Sequence, residues 1–243
     1  MCEQYLLKSG RDLESQPEWL GTGVAARRPA STVVADSLRQ RILWGDAPGG
    51  TRLRQDAIAG HFGVSQTVVR EAFRTLAAEG LLAIEPGRGV SVAPLDPEEA
   101  WETTRLRALL EVQALEWSIP AMTPDDLTRA EKLLAELDQA PSIDETIALN
   151  AAFHDALYAP ARRPRTLAMI ATLRLGFERY LRFTWAETPH LTRSQEEHRE
   201  LVTQCRARDT AGACDLLKAH ILATGDMLMA RLRAGAPADL MVE

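Results

Sequence analysis

The sequence of 243 residues predicts a mainly α-helical protein in two parts: three short helices closed by a β-hairpin, then an all-α antiparallel bundle. Three observations carry that prediction. Apolar residues recur at helical spacing through most of the chain, and β-alternation is confined to LLAIE and VSVAP around the turn PGRG. Beyond Pro94 the pattern is helical throughout.

Residues 1–30 lack clear periodicity and contain Pro17, Gly21, Gly23 and Pro29. They read as a flexible arm, with a short ordered piece around Trp19 and Leu20. From Ser31, the side chains of Val34, Leu38, Ile42 and Leu43 share one helical face until WGDAPGG ends it. A second short helix, QDAIAGHF, presents Ile58 and Phe62 together and stops at Gly63. Ser65 caps a third, in which Val68, Val69, Ala72, Phe73 and Leu76 mark the inner face and Gly80 the end. The connection Gly63-Val64-Ser65 between two short helices has the length of a helix-turn-helix. Gly87 and Gly89 supply positive φ to the hairpin turn. Residues 31–95 thus predict a winged helix-turn-helix.

Asp96-Pro97-Glu98-Glu99 and Thr123-Pro124-Asp125-Asp126 are two versions of one helix start, with a cap, a proline in the first turn and acids against the positive end of the dipole. Further helical runs, at roughly 143–158, 165–186, 194–207 and 209–233, are joined by short segments, as in an antiparallel bundle. This domain spans 96–235, and residues 236–243 form a tail.

A hydrophobic content of 46% with 26% charged residues describes a globular chain. No run approaches the ~20 apolar residues of a membrane span, and the first residues lack the basic-then-apolar order of a secretory signal. The expectation is a cytoplasmic protein with no membrane partner. Cys2, Cys205 and Cys214 form no CxxC pair and are expected as free thiols. The net charge of -6 hides an asymmetry, since residues 27–95 carry nine arginines against six acids while the remainder is acidic. A basic segment in an acidic chain is where nucleic-acid contacts are to be sought.

In a helix-turn-helix the N-terminal residues of the last helix enter the major groove. Gln66, Thr67 and Arg70 lie on its exposed side. Glutamine can pair by a two-pronged contact with adenine, threonine can meet a phosphate or a thymine methyl, and arginine can reach guanine or phosphate. Arg88, between Gly87 and Gly89, can lie in the minor groove or along the backbone. Arg54, Ser65 and Gly87 complete the candidate DNA-binding set.

The stretch GTRLRQDAIAGHFGVSQTVVREAFRTLAAEGLLAIEPGRGVSVAPL resembles the winged-helix domain of the GntR superfamily of bacterial regulators, in GVS, VREA, the EGL after the helix and the glycine-bearing wing. The remainder of the chain resembles the all-helical ligand-binding domain of the FadR-type, or FCD, branch, and together the resemblance covers about residues 32–235. It implies a homodimeric transcriptional regulator rather than an enzyme, usually a repressor relieved by a metabolite, on a palindromic double-stranded operator. Two departures stand in the recognition helix. Where the family pattern has arginine before threonine-proline, this chain has Gln66, and the proline is Val68. Glutamine in place of a base-contacting arginine predicts a preference shifted from guanine towards adenine at one operator position.

In the helical domain LNAAFHDALY sets Asn150 and His154 at i and i+4, on one helix face. His198 and His220 fall on two later helices. A bundle can bring three helices round one internal point, although a lone histidine on an amphipathic helix is more commonly a core residue. The FCD resemblance implies more: metal-binding members carry Asp-x-x-x-His on one helix and single histidines on two later ones, and Asn150, His154, His198 and His220 match those places in order. Three imidazoles suit zinc, nickel or another first-row divalent ion. Asparagine for aspartate leaves the site one unit more positive, which loosens the metal and increases attraction for an anion.

The family's metal commonly helps to hold a small carboxylate, an organic or sugar acid. Arg107 and Arg174 are the candidate effector-binding residues, since arginine forks onto carboxylates; either can equally make an internal salt bridge. Tyr180 and Trp185 are candidates to line the pocket. The alternative from another class is a metal-dependent hydrolase or lyase at the same histidines. Against it, the chain has no HExxH pair and no Gly-rich phosphate loop, and Glu197 is expected on a different helix face from His198, a poor general base.

Overall fold

The computed structural model describes residues 28–185 and 190–233. Most of the expected arm 1–30, with Trp19 and Leu20, and the expected tail 236–243 lie outside the described residues.

The first part is built from α1 (Ala30–Trp44), β1 (Arg52–Leu53), α2 (Gln55–Phe62), α3 (Gln66–Ala78), β2 (Leu82–Glu85) and β3 (Gly89–Val92). Gly45 ends α1 at φ 86, a left-handed turn in which its N–H returns to the carbonyls of Arg41 and Ile42. Ser65 starts α3, its hydroxyl accepting from the N–H of Val68. One face of α3 is buried through Val69, Ala72, Phe73 and Leu76, against Val34, Leu38 and Ile42 of α1 and Leu82 and Val92 of the hairpin. The hairpin carries a third strand not expected from the sequence. β1 pairs antiparallel with β3, Arg52 opposite Ser91 and Leu53 opposite Val90, giving the order β1-β3-β2. Two residues are too few to show a period of two.

The second part is α4 (Pro97–Ser118), α5 (Pro124–Leu137), α6 (Ile143–Tyr158), α7 (Pro164–Trp185), α8 (His190–Ala207) and α9 (Thr210–Arg233). The two expected helix starts form as caps. Asp96 Oδ1 accepts from Glu98 N at 2.8 Å, and Thr123 with Asp126 makes a reciprocal capping box. The bundle closes over Leu115, Leu134, Phe153, Leu157, Ile170, Leu201, Leu217 and Ile221. α4 lies directly on α9, where a Cβ at Gly225 would overlap Thr104; glycine at that position lets the two backbones approach. No described helix is long and apolar enough to cross a membrane.

The two parts meet on α7. Leu175 packs against the winged-helix core, and a Cβ at Gly176 would stand 3.2 Å from the carbonyl oxygen of Glu79, just past the end of α3. Glu79 is itself gripped from α1, Arg39 forking onto its two oxygens at 2.8 and 2.6 Å.

Candidate metal centre and DNA-reading face

His154 of α6, His198 of α8 and His220 of α9 are all buried. Each offers one nitrogen to a common point, the three atoms lying within 4.8 Å of one another. The bundle brings together the three histidines that the sequence spaced 44 and 22 residues apart along the chain.

The remaining nitrogen of each ring decides what that point can hold. His220 Nδ1 lies 2.7 Å from Glu197 Oε2 and His198 Nδ1 lies 3.0 Å from Gln195 Oε1. Both oxygens only accept, so both Nδ1 atoms carry the proton. His154 Nδ1 lies 3.2 Å from the Tyr158 hydroxyl, which donates its own proton to Glu111 Oε2 at 2.9 Å and is left to accept. In the neutral form of each ring this leaves Nε2 with a lone pair. Between His198 and His220 the two Nε2 atoms are 3.3 Å apart. Burial first, and then the neighbouring histidines, hold His154 well below the usual imidazole range; burial and His220 do the same for His198. Neutral rings with Nδ1–H tied to an acceptor and Nε2 turned inward are the state in which imidazole ligates a metal.

Asn150 sits one turn before His154, and its Oδ1 is buried with no hydrogen-bond partner. A buried acceptor without a partner, one helical turn from a ring of this cluster, is open to a cation. Three imidazole nitrogens and an amide oxygen suit a first-row divalent ion and leave coordination positions for another ligand.

Glu197 lies on a different helix face from His198, as expected, and meets His220 instead. Its direction away from His198 does not remove it from the site, because successive residues on a helix project about 100° apart and α9 occupies the space into which Glu197 turns. There it accepts a hydrogen bond from His220 Nδ1–H and another from Arg193 Nε at 2.8 Å. These bonds, the one from His220 foremost, hold its carboxyl down to about 2. Glu197 orients His220 and is occupied in doing so.

Both candidate effector arginines adjoin the site and both are engaged inside the chain. Arg107 Nε donates to Glu111 Oε1 at 2.8 Å, with the guanidinium 4.8 Å above the Phe177 ring. Arg174 pairs with Asp155 and donates to the Ala151 carbonyl at 3.1 Å, while its Nε is buried without a partner. Internal salt bridges, the other reading of these two residues, are therefore present. The Arg107-Glu111-Tyr158-His154 chain of contacts makes Arg107 part of the scaffold behind His154. The side chains of Tyr180 and Trp185 lie outside the described residues.

Sequence reasoning missed Glu111, Tyr158 and Gln195, and the contact of Glu197 with His220. Tyr158 at i+4 from His154 and Gln195 at i−3 from His198 were within reach of a helical-spacing argument. Glu111 and Glu197 act across helices, where spacing carries no signal.

On the winged helix, Ser65, Gln66, Thr67 and Arg70 are all exposed along the first turns of α3. Gln55 Nε2 donates to the Gln66 carbonyl at 2.6 Å and pins the start of α3 to α2. Val68 N–H donates to Ser65 Oγ at 3.4 Å, a bond that proline could not make. Arg54, exposed, pairs with Asp56 at 2.8 Å. Arg88 stands at the tip of the wing beside Gly87, at φ 76, and 3.5 Å from Glu85.

A winged helix with an exposed recognition face, joined to an all-helical domain, is the build of a transcription regulator. Residues 30–92 match the family described as "Bacterial regulatory proteins, gntR family", and residues 102–223 match the FCD domain. The chain belongs to the GntR family, in its FadR-type FCD branch, and is a transcription regulator rather than an enzyme. It is 30% identical to "Uncharacterized HTH-type transcriptional regulator YdhC" of Bacillus subtilis over 77% of this chain and 84% of that protein. It is 27% identical to "HTH-type transcriptional regulator McbR" of Escherichia coli over 79% and 89% respectively. It is 26% identical to "HTH-type transcriptional repressor GlaR" of the same organism over 76% and 89%. The solved structure of E. coli McbR/YncC shares the fold, with a TM-score of 0.71 over 84% of this chain and 98% of that one at 24% identity. These comparisons give no support to the hydrolase or lyase alternative.

Proposed function

We propose that this regulator is a metabolite-responsive repressor that binds a palindromic operator as a homodimer in the cytoplasm. Its effector is a small organic or sugar acid bound beside a divalent ion, zinc or another of the first row, in the helical domain. The observation that supports the effector half is the convergence of three buried imidazoles, each with Nδ1 committed to an acceptor and Nε2 turned to one centre. His154, His198 and His220 would hold the ion, with Asn150 Oδ1 as a further donor. When bound, the ion supplies positive charge for a carboxylate oxygen. Because every one of these donors is neutral, that charge is left for the anionic effector to offset. Arg107 and Arg174 add positive charge nearby, shared with Glu111 and Asp155.

The DNA half rests on the exposed and unpaired side chains of Gln66, Thr67 and Arg70. Gln66 reads adenine at one position, Thr67 and Arg70 contact phosphate or base edges, and Arg54 and Arg88 neutralise the backbone. The effector acts by binding the DNA-competent and DNA-incompetent dimers with different affinities. Operator binding by the purified chain tests the reading. It should be specific for a short palindrome from its own or a neighbouring promoter, steeply salt-dependent, and weakened by a cognate carboxylate. Failure to retain any such fragment at low salt would sink it.

A further inference from the structure

Each of the three clustered histidines has a polar neighbour one helical turn away, and all three neighbours lie towards the same end of the bundle. α6 and α8 both bring their C-terminal ends to that of α4. Ser118 Oγ donates to the Leu157 carbonyl at 2.6 Å, and Arg208, just past α8, donates to the carbonyls of Ile119 and Met122. α9 runs the other way, with Cys214 beside the Val112 carbonyl and Gly225 against Thr104. The residues four before His154, four before His198 and four after His220 are therefore on one side of the cluster, the side nearer the start of α4. They are Asn150, Ser194 and Thr224, the first half-buried and the others buried. The opposite side is apolar, closed by Leu157, Leu201 and Leu217 at three residues from each histidine.

Ser194 is the member of this polar tier whose chemistry is unspent. It is 1% exposed, yet its Oγ meets no hydrogen-bond partner among the described residues. A hydroxyl inside a helix commonly returns to the carbonyl four residues back, as Thr224 does to His220 at 3.1 Å. Ser194 makes no such bond and stands on the helix face of His198. A buried hydroxyl without a partner is destabilising until something arrives to bond it. We infer that Ser194 reads a hydroxyl of the effector, and that the effector is a hydroxy acid rather than a plain carboxylic acid. Ser194 stands about 6 Å along the helix axis from His198, the span of a carboxylate on the ion and a hydroxyl one or two carbons further on. A ligand hydroxyl donates and accepts, as serine does, whereas a methylene in its place leaves Ser194 unsatisfied. The inference rests on the effector reading above and narrows it to one class of acid.

Thermal melting of the full chain with zinc added, against acids matched in pairs, tests both separately. The pairs are glycolate with acetate, malate with succinate, and gluconate with hexanoate. In at least one pair the hydroxylated member should bind about tenfold more tightly, read from the concentration that gives an equal rise in melting temperature. Ser194→Ala should erase that preference and keep the zinc content of the wild type. Without any acid the same variant should melt no lower than the wild type, since it deletes a group with no partner. A lower melting temperature would show a hydroxyl needed by the fold and overturn the assignment. So would acids that bind the wild type without regard to the hydroxyl, or a preference that survives Ser194→Ala, and either would leave the carboxylate reading standing. No shift with any of these acids would overturn the carboxylate reading together with this one.

Discussion

The Nε2 atoms of His198 and His220 face each other across 3.3 Å, and in their neutral forms neither ring has a proton to place between them. The Nδ1 proton of the first belongs to Gln195 and that of the second to Glu197. Two lone pairs at that distance repel, and a cation between them removes the repulsion. His154→Ala and His220→Ala should each abolish bound divalent metal, measured by elemental analysis of the purified chain. Added zinc should raise the melting temperature of the wild type, on the order of 2.7 kcal/mol of stabilisation at a hundred times Kd, and leave the variants unmoved. Metal content unchanged in both variants would mean that the histidines only pack.

Glu197→Gln keeps the shape and removes the charge that holds His220 in its ligating tautomer. Metal affinity, read by competition with a coloured chelator, should fall by roughly 10- to 100-fold. An unaltered constant would show that Glu197 has no part in the site.

Asn150→Asp places a carboxylate where a buried amide oxygen now has no partner. The same competition should show tighter metal binding, on the order of tenfold, because a charged donor replaces a neutral one. A fall in affinity would contradict the placing of Asn150 among the ligands.

Gln66→Arg alters the first residue of the recognition helix, which is exposed and needs no refolding. Binding measured with each base pair of the operator varied in turn should shift preference from adenine to guanine at one position by roughly 1 to 3 kcal/mol. No change at any position would remove Gln66 from the base readers.

Cys205 is fully buried, and that burial pushes its thiol up to about 12; Cys214, half-buried, is pushed up to about 11. Because both lie above the ordinary thiol value, the thiolate fraction between pH 7 and 9 is smaller than for free cysteine at every pH in that range. With Cys2 replaced by serine, iodoacetamide should therefore label the native chain slowly up to pH 9 and rapidly in denaturant. Fast labelling of native Cys205 at pH 8 would contradict the burial.

How much of the molecule was legible in the sequence differs between the two parts. The winged helix is written in local signals: Gly63, the Ser65 cap and Gly87 with Gly89 each act within a few residues of themselves, and each appears where expected. The exception is β1, which exists only through its partner β3. In the bundle, the three histidines were visible as residue types but their convergence depends on helix packing across 66 residues of chain. Glu111 and the contact of Glu197 with His220 were invisible for the same reason, and Arg107 and Arg174 drew attention by charge while Glu111 and Asp155, which hold them, did not.

Leu175 has a consequence for how the molecule comes apart. Its side chain belongs by sequence to the bundle and by contact to the core of the winged helix, one residue after Arg174, which is anchored to α6 through Ala151 and Asp155. The covalent seam near residue 95 is therefore not a thermodynamic seam. Heating should unfold recognition and bundle segments in one calorimetric transition, and residues 31–95 cut free should melt earlier than they do in the whole chain, having lost a piece of interior that the rest of the polypeptide lends them.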